Sequence, residues 1–340
     1  MPTYRELVVR EVLAERPGLV RVALDDGSRA YGLTQLTGRV AAGDRVIVNT
    51  TAVDLGLGTG GWHVVHWNLT APPAPQPGPG HLMKLRYTSL QVDAGAAEED
   101  GVDPPADLEG APVVVAGVHS QVPVLAAAIA AERPGCRVVY VMTDGGALPL
   151  ALSDQVADLR ARDLLAGTVT AGHAFGGDVE ALNVPAALVS ARHRFGADVV
   201  LVAMGPGGAG TGSRLGFSAL DVAPALDAVA WLGGRPIACV RASEADPRPR
   251  HQGISHHTRT ALDAVRSTVE VVLPPGLGPA PPRHQVLTID PGDVGALLAA
   301  AGLQVTTMGR TPADDPCYFA AAAAAGIHAA RSVVDRSPAS

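Results

Sequence analysis

The chain has 340 residues and a net charge of −7, with 33 acidic and 26 basic side chains. Proteins that bind nucleic acid without sequence preference need a basic surface to displace counterions, so we expect no nucleic-acid partner. Hydrophobic residues make up 47% of the chain but aromatic residues only 4%. A core built from Ala, Val and Leu is typical of a parallel sheet covered by helices. The length admits two domains, since single cores rarely grow beyond about 250–300 residues.

Three widely spaced cysteines, Cys136, Cys239 and Cys317, form no CxxC pair, which argues against a disulfide framework or a zinc knuckle. The first ten residues, MPTYRELVVR, contain no apolar signal-peptide segment. The longest apolar runs, at 199–204 and 320–325, are far shorter than the about 20 residues of a membrane span. We therefore expect a cytoplasmic protein without a membrane partner.

Residues 1–70 contain short, partly alternating runs of β-forming residues, among them LVRVAL, DRVIVN and WHVVHWNL. Turn sequences such as RPG and DDG separate them. This pattern predicts a small β-barrel of the SH3-like or OB-like type. Aromatic residues that could stack on bases are few here, so an oligonucleotide-binding barrel is the weaker alternative.

Residues 71–111 are predicted to be a linker. The run APPAPQPGPG at 71–80 can form neither a helix nor a central strand, because proline lacks an N–H and has a fixed φ. LMKLRYTSLQV, at 82–92, predicts one bridging strand, and the acidic stretch at 94–110 predicts a surface loop.

From residue 112 the pattern alternates between strands and helices. Strands are predicted at 113–118, 137–142, 167–171, 197–204, 236–241, 269–273, 284–289 and 304–308. Helices are predicted at 122–132, 153–165, 179–193, 221–232, 258–267, 293–301 and 316–333. The alternation indicates a Rossmann-like domain over 112–335, with a mostly parallel, doubly wound sheet. Ligands of such sheets bind outside the carboxyl ends of the strands.

The loop after the strand at 197–204 is the richest in glycine. Its predicted ligand-binding residues are Gly205, Gly207, Gly208, Gly210, Thr211, Gly212, Ser213 and Arg214. Closely spaced glycines let backbone N–H groups approach an anion, so we predict an anion cradle; a purely structural turn is the alternative. The GxGxxG match is weak, because the next helix begins only near residue 221 and the Lys-Ser/Thr pair of a P-loop is missing.

Four side chains at the ends of successive predicted strands form a candidate catalytic group: His119, Asp144, His173 and Asp178. Together they could transfer protons or bind a divalent metal, which is the cofactor that we consider. Each also has a simpler interpretation. Asp144 could form a turn, Asp178 could cap a helix, and His119 could cap the helix that follows it.

The segment 241–258 follows another strand, which we expect to neighbour the strand before the glycine loop. Arg241 and Arg248 are predicted to bind an anionic ligand, because guanidinium groups suit carboxylates and phosphates. Metal ligands are predicted at His251, His256 and His257, with proton transfer or substrate hydrogen bonding as the alternative. Ser255 is a predicted N-cap that would place the last two histidines in the first helical turn, where the helix dipole keeps them neutral. The remaining histidines are interpreted as structural: His63, His66, His81, His193, His284 and His328.

Several long strings resemble the bacterial family called domain of unknown function 3866. They include NTTAVDLGLGTGG (49–61), HLMKLRYTSLQ (81–91), YVMTDGGALP (140–149), GHAFGGD (172–178), VAMGPGGAGTGSRLGFSAL (202–220) and RHQGISHHT (250–258). The resemblance spans essentially the whole chain. It implies no activity and no catalytic residue.

The residues favour an enzyme that acts on a small anionic metabolite bearing phosphate or carboxylate. A non-catalytic nucleotide or metabolite sensor is the first alternative, and a structural or scaffolding protein is the second. The abundance of titratable side chains at the predicted strand ends favours the enzyme. A homo-oligomer is compatible with the sequence.

Overall fold

The computed structural model describes residues 1–58, 60–71, 78, 80–101 and 104–334. The chain forms two compact units, Met1–Gly95 and Ala96–Ser340, and each is described by itself. Most of the predicted proline-rich linker at 71–80, and residues 102 and 103 of the acidic loop, lie outside the described residues. The predicted division into 1–70, 71–111 and 112–335 stays a prediction.

The first unit contains a closed barrel with the strand order β1-β2-β3-β5-β4. Its strands are β1 (Tyr4–Arg16), β2 (Leu19–Leu24), β3 (Arg29–Leu33), β4 (Arg45–Asn49) and β5 (Trp62–Asn68). Two single-turn helices connect them, α1 (Thr34–Thr37) and α2 (Thr51–Asp54). Alternate residues of β2, namely Val20, Val22 and Leu24, point into the barrel core, as the period of two requires. The predicted barrel is confirmed.

The predicted bridging strand at 82–92 is wrong. The segment forms a short antiparallel pair instead, β6 (Met83–Lys84) and β7 (Val92–Asp93). Leu85 and Tyr87, with φ angles of 51° and 61°, adopt the left-handed conformation. A residue in that conformation cannot continue an extended strand, so the chain turns after Lys84.

The second unit contains an eight-stranded, all-parallel sheet with the order β11-β10-β9-β12-β8-β13-β16-β17. Its strands are β8 (Pro112–Ala116), β9 (Val138–Thr143), β10 (Gly167–Ala171), β11 (Val179–Ala181), β12 (Val199–Met204), β13 (Arg235–Cys239), β16 (Glu270–Leu273) and β17 (Gln285–Thr288). A separate two-stranded pair consists of β14 (Ala242–Ser243) and β15 (Gly253–Ile254). The central strands are buried throughout, which matches their continuous Val-, Ala- and Leu-rich sequences.

Helices cover both faces of this sheet, which confirms the predicted α/β architecture. One face carries α3 (Val122–Glu132), α4 (Asp154–Ala161), α8 (Val294–Ala300) and α9 (Pro316–Arg331). The other carries α5 (Val184–His193), α6 (Val222–Trp231) and α7 (His256–Ala264). Within the described residues, no helix combines the length and the apolar character needed to cross a membrane.

Two of the elements predicted for the second unit also differ in the structure. The helix predicted from residue 179 starts only at Val184, after the N-cap Asn183, because Val179–Ala181 pairs with β10 as an edge strand. Hydrogen bonding to an open sheet edge outweighs the helical preference of such a short segment. The strand predicted at 304–308 is absent from the described structure, where Thr307 forms only an isolated bridge with Arg310.

The strand order creates a crevice at the centre of the sheet. β8 lies between β12 and β13, so the expectation that β12 and β13 are neighbours is wrong. From β8 the chain continues to β9 on one side, and from β13 to β16 on the other. Connections that leave adjacent strands in opposite directions open a ligand-binding crevice at the carboxyl ends.

Candidate functional site

A cleft of about 630 Å³ lies at the carboxyl ends of β8, β12 and β13. Its lining contains polar and charged side chains as well as several glycines. Its lining comes from residues 117–120, 152–155, 204, 206–210, 212, 218–219, 241, 248, 250–251, 257 and 306–308. The cleft therefore occupies the crevice that the strand order defines.

The glycine loop after β12 forms one wall of the cleft. Gly207, Gly208 and Gly210 line it, whereas Gly205 packs against the Ala147 backbone, where a Cβ would overlap the carbonyl oxygen. Gly207 has a φ of 83°, a conformation that disfavours other residues. Glycine is therefore required at 205 by the close backbone contact and favoured at 207 by the positive φ, independently of any ligand.

The loop also presents unused backbone donors to the cleft. The Ser218 N–H donates to the Ala209 carbonyl oxygen and the Ala209 N–H donates to the Ser218 hydroxyl, both at 2.9 Å, which closes the loop into a small hairpin. In the part of the chain that the structure describes, the N–H groups of Gly207, Gly208 and Gly210 have no hydrogen-bond acceptor. Unpaired N–H groups on a glycine loop favour an anion.

Four of the predicted ligand-binding residues in this loop do not line the cleft: Gly205, Thr211, Ser213 and Arg214. Thr211, Ser213 and Arg214 are exposed, and the two hydroxyls bond each other at 2.9 Å. Gly212, whose φ is 79°, does reach the lining. The distal half of the loop thus bonds mainly to itself.

A cluster of arginines at the cleft surrounds one buried carboxylate, that of Asp246. Arg248 donates to both oxygens of Asp246, at 2.9 and 2.8 Å. Arg241 and Arg310 lie 3.5 and 3.8 Å from the same carboxylate. The hydrogen bonds from Arg248 are the main reason that the pKa of Asp246 lies well below its usual range.

A second buried carboxylate supports the cluster. Asp315 accepts from the Ser243 hydroxyl at 2.6 Å and from Arg310 at 3.1 Å. Arg250 also lines the cleft, but it forms no ion pair with any residue that the structure describes. Arg241, Arg248 and Arg310 thus share two buried carboxylates, and Arg250 adds a further positive charge at the cleft. The burial of Arg241 lowers its pKa, as expected for a guanidinium removed from water.

The predicted metal ligands, His251, His256 and His257, lie together beside the arginines. One ring nitrogen from each falls within 4.8 Å of the others. The Ser255 hydroxyl accepts from the His257 N–H at 3.2 Å, which confirms the predicted N-cap. Burial, followed by the positive charge of Arg241, lowers the pKa of His251 to about 4 and that of His257 to about 3.

One feature of this histidine cluster favours metal binding and another disfavours it. His256 Nε2 is buried and has no hydrogen-bond partner among the described residues, as an unoccupied ligand atom would be. In contrast, Arg241 Nη1 lies 3.4 Å from His257 Nδ1, and its charge opposes a cation. The metal site stays a prediction.

His119 lines the cleft at the end of β8. Its Nδ1 lies 3.1 Å from both the Tyr140 hydroxyl and the Met204 carbonyl oxygen, and its Nε2 lies 2.7 Å from Ser153 Oγ. Burial lowers the pKa of His119 to about 4, so the imidazole is neutral at physiological pH. A neutral imidazole with a polar partner at each nitrogen can accept or relay a proton.

The other three predicted catalytic residues do not line the cleft. Asp144 accepts from the His173 N–H at 2.9 Å, in a loop beside β10. β9 and β12 separate β10 from β8, and with it from His119. Asp178 is also outside the cleft, because the loop after β10 turns back along that strand. Its carboxylate accepts from the Thr168 N–H at 2.9 Å and pairs with Arg160 at 2.7 Å. These contacts indicate a structural role for Asp178. It does not cap the following helix, as considered above, because the N-cap of α5 is Asn183.

Sequence reasoning missed Ser153 and Arg310. Ser153 precedes the helical sequence DQVADLRA, which identifies it as an N-cap, and its hydroxyl does accept from the Val156 N–H at 3.0 Å. No local signal links Ser153 to His119, which is 34 positions away. Arg310 reaches Asp246 from a position two residues after the strand predicted at 304–308.

These observations define an α/β protein with an N-terminal barrel and an arginine- and glycine-lined cleft at the switch point of its parallel sheet. The chain belongs to the family described as protein of unknown function (DUF3866), whose model matches residues 29–326. This confirms the resemblance found in the sequence. Searches of curated proteins and of solved structures gave no significant match.

Proposed function

We propose that the protein is an enzyme that binds a small anionic metabolite, bearing phosphate or carboxylate, in this cleft. The single observation that carries the proposal is the excess of arginine over carboxylate at the cleft. Arg241, Arg248 and Arg310 share the buried Asp246 and Asp315, and Arg250 pairs with no carboxylate among the described residues. An anion would complete the charge balance.

The arginines and the glycine loop that line the cleft suggest how the anion is held. Arg248 is oriented by Asp246 and is still 41% exposed at its side chain, so it can pair with a ligand as well. Arg250 adds a guanidinium without a carboxylate partner in the described structure. In the glycine loop, the N–H groups of Gly207, Gly208 and Gly210 are further donors, and these do not titrate.

His119 supports an enzyme over a sensor. It lies in the wall of the same cleft, is neutral, and has one nitrogen directed at a hydroxyl. A binding protein needs no such group, whereas proton transfer to or from a bound substrate does. The sensor remains the alternative, and it differs by binding the anion without turning it over.

Isothermal titration with phosphate, sulfate, malate and nucleoside phosphates tests the proposal. Charge-assisted hydrogen bonds contribute about 1.5–3 kcal/mol each, so Arg250→Gln should weaken binding at least about tenfold. Arg10→Gln, which removes the same charge from an exposed barrel position, is the control and should bind as the wild type does. Equal binding by the wild type and Arg250→Gln, or no binding of any anion, would contradict the proposal.

A further inference from the structure

Ser153 and His119 are in direct contact in the cleft wall. Ser153 Oγ lies 2.7 Å from His119 Nε2, and both residues line the cleft. A hydroxyl has one proton and two lone pairs. The Val156 N–H occupies one lone pair of Ser153, at 3.0 Å, and the proton can be donated to His119. The second lone pair remains for an electrophile.

The surroundings of His119 fix which nitrogen carries its proton. The Met204 carbonyl oxygen, 3.1 Å from Nδ1, can only accept a hydrogen bond, so Nδ1 carries the hydrogen. The Tyr140 hydroxyl donates to main-chain carbonyls at 3.2 Å and can accept from the same Nδ1–H. In the neutral ring Nε2 is therefore the basic nitrogen, and it faces Ser153. A serine, a histidine base and a group that orients the histidine form the arrangement that activates a nucleophile.

We propose that Ser153 is a catalytic nucleophile that His119 activates, and that the enzyme hydrolyses an ester or thioester of an anionic acyl compound. The anionic substrate rests on the proposed function, whereas the reactivity of Ser153 does not.

The reaction balances in two steps. Ser153 Oγ bonds to the acyl carbon while its proton passes to His119 Nε2, and the bond to the leaving alcohol or thiol breaks as that group takes the proton. Water then attacks the acyl-enzyme and gives a proton to His119. Ser153 Oγ leaves and recovers the proton, which releases the acid. No oxidant, reductant or metal is required.

A fluorophosphonate probe tests the nucleophile without knowledge of the substrate. Attack by Ser153 Oγ forms an O–P bond and expels fluoride, so intact mass should show one adduct and peptide mapping should place it on Ser153. Ser153→Asn, which removes the hydroxyl but keeps a side-chain oxygen that can cap α4, should not be labelled. His119→Gln should reduce the labelling rate at least a hundredfold. Ser120→Ala, which removes another hydroxyl of the cleft wall, is the control and should be labelled as the wild type is.

The absence of an adduct on the wild type, an adduct on another residue, or equal labelling of His119→Gln would overturn the inference. Inorganic phosphate distinguishes this failure from that of the proposed function. If phosphate binds in titration but the wild type is not labelled, the nucleophile is wrong and the anion site stands. If Ser153 is labelled but no anion binds or slows the labelling, the nucleophile stands and the anion site is wrong.

Discussion

Asp246 and Arg248 form a two-pronged ion pair although only one residue separates them in the chain. The guanidinium donates to both carboxylate oxygens, at 2.9 and 2.8 Å, and the Asp246 side chain is fully buried. The same carboxylate also faces Arg241 and Arg310. Asp246 therefore acts as the internal counterion that allows several arginines to gather at one wall of the cleft.

Removing this counterion should destabilise the fold. Asp246→Asn leaves partly buried arginine charges unbalanced, and breaking a buried pair costs about 3–5 kcal/mol. Because the folded-state pKa of Asp246 is lowered, its contribution is present above the unfolded pKa of about 4 and is lost as the pH falls towards the folded value. Urea unfolding should therefore show a large difference between wild type and Asp246→Asn at pH 7 and a smaller one at pH 3.

Asp314→Asn is the matched control for this experiment, because Asp314 is exposed and, among the described residues, accepts hydrogen bonds only from Thr311. It should change stability far less than Asp246→Asn does at pH 7. Equal unfolding midpoints of Asp246→Asn and the wild type at pH 7 would contradict the counterion role.

Gly208→Val should weaken anion binding with little effect on folding. Gly208 is exposed in the loop that lines the cleft, and a Cβ there would lie 3.2 Å from Met204 Sδ. The valine methyl groups would occupy space beside the backbone donors. Gly278→Val, in a loop with no atom near the added Cβ, is the control. Thermal shift with phosphate should fall for Gly208→Val alone; an unchanged shift would mean that this wall does not contact the anion.

The predicted metal site can be tested on the purified protein. If His251, His256 and His257 bind a divalent metal, titration with Co²⁺ should give one equivalent with the visible absorption of a histidine-ligated ion. His256→Ala should lose this absorption, whereas His66→Ala, in the barrel, should keep it. Retention of no Co²⁺ or Zn²⁺ by the wild type would show that the three histidines serve another purpose.

The predicted domain division gives an order of cleavage. Limited proteolysis should cut first within 71–80 or 94–110, because the sequence predicts a proline-rich linker and an acidic loop there, and proteases prefer such segments. Mass spectrometry of the early fragments locates the cut. Initial cleavage inside 197–214, with both of the other segments intact, would contradict the division.

Gly326→Ala should destabilise the second unit, although alanine is the better helix former. Gly326 lies in α9 against α3, and a Cβ there would come within 2.8 Å of the Leu125 carbonyl oxygen and 2.9 Å of Ala128 Cβ. Forcing the two helices apart should cost about 1–3 kcal/mol. Gly295→Ala, at an exposed position of α8, is the control and should leave the melting temperature equal or higher. A stabilised Gly326→Ala would show that the helices can separate freely.

Local sequence determined most of the architecture. The alternating runs of the first 70 residues predicted the barrel, and the strand–helix alternation after residue 112 predicted the parallel sheet, because side-chain periodicity follows directly from backbone geometry. Local sequence also identified the glycine loop, the arginine-rich segment and the Ser255 cap, because each of these depends on neighbours within a few positions.

The tertiary structure decided which of these residues meet. The sequence places His119 and Asp178 alike, each after a strand, yet one lines the cleft and the other bonds Thr168 beside its own strand. β8 borders the crevice at the centre of the sheet, whereas the loop after β10 turns back along β10. Strand order is set by long-range pairing, which no local pattern encodes. The contacts of Ser153 with His119, and of Arg310 with Asp246, likewise join distant segments. They arise only when the sheet and its helices pack, because packing brings together the elements that carry these side chains.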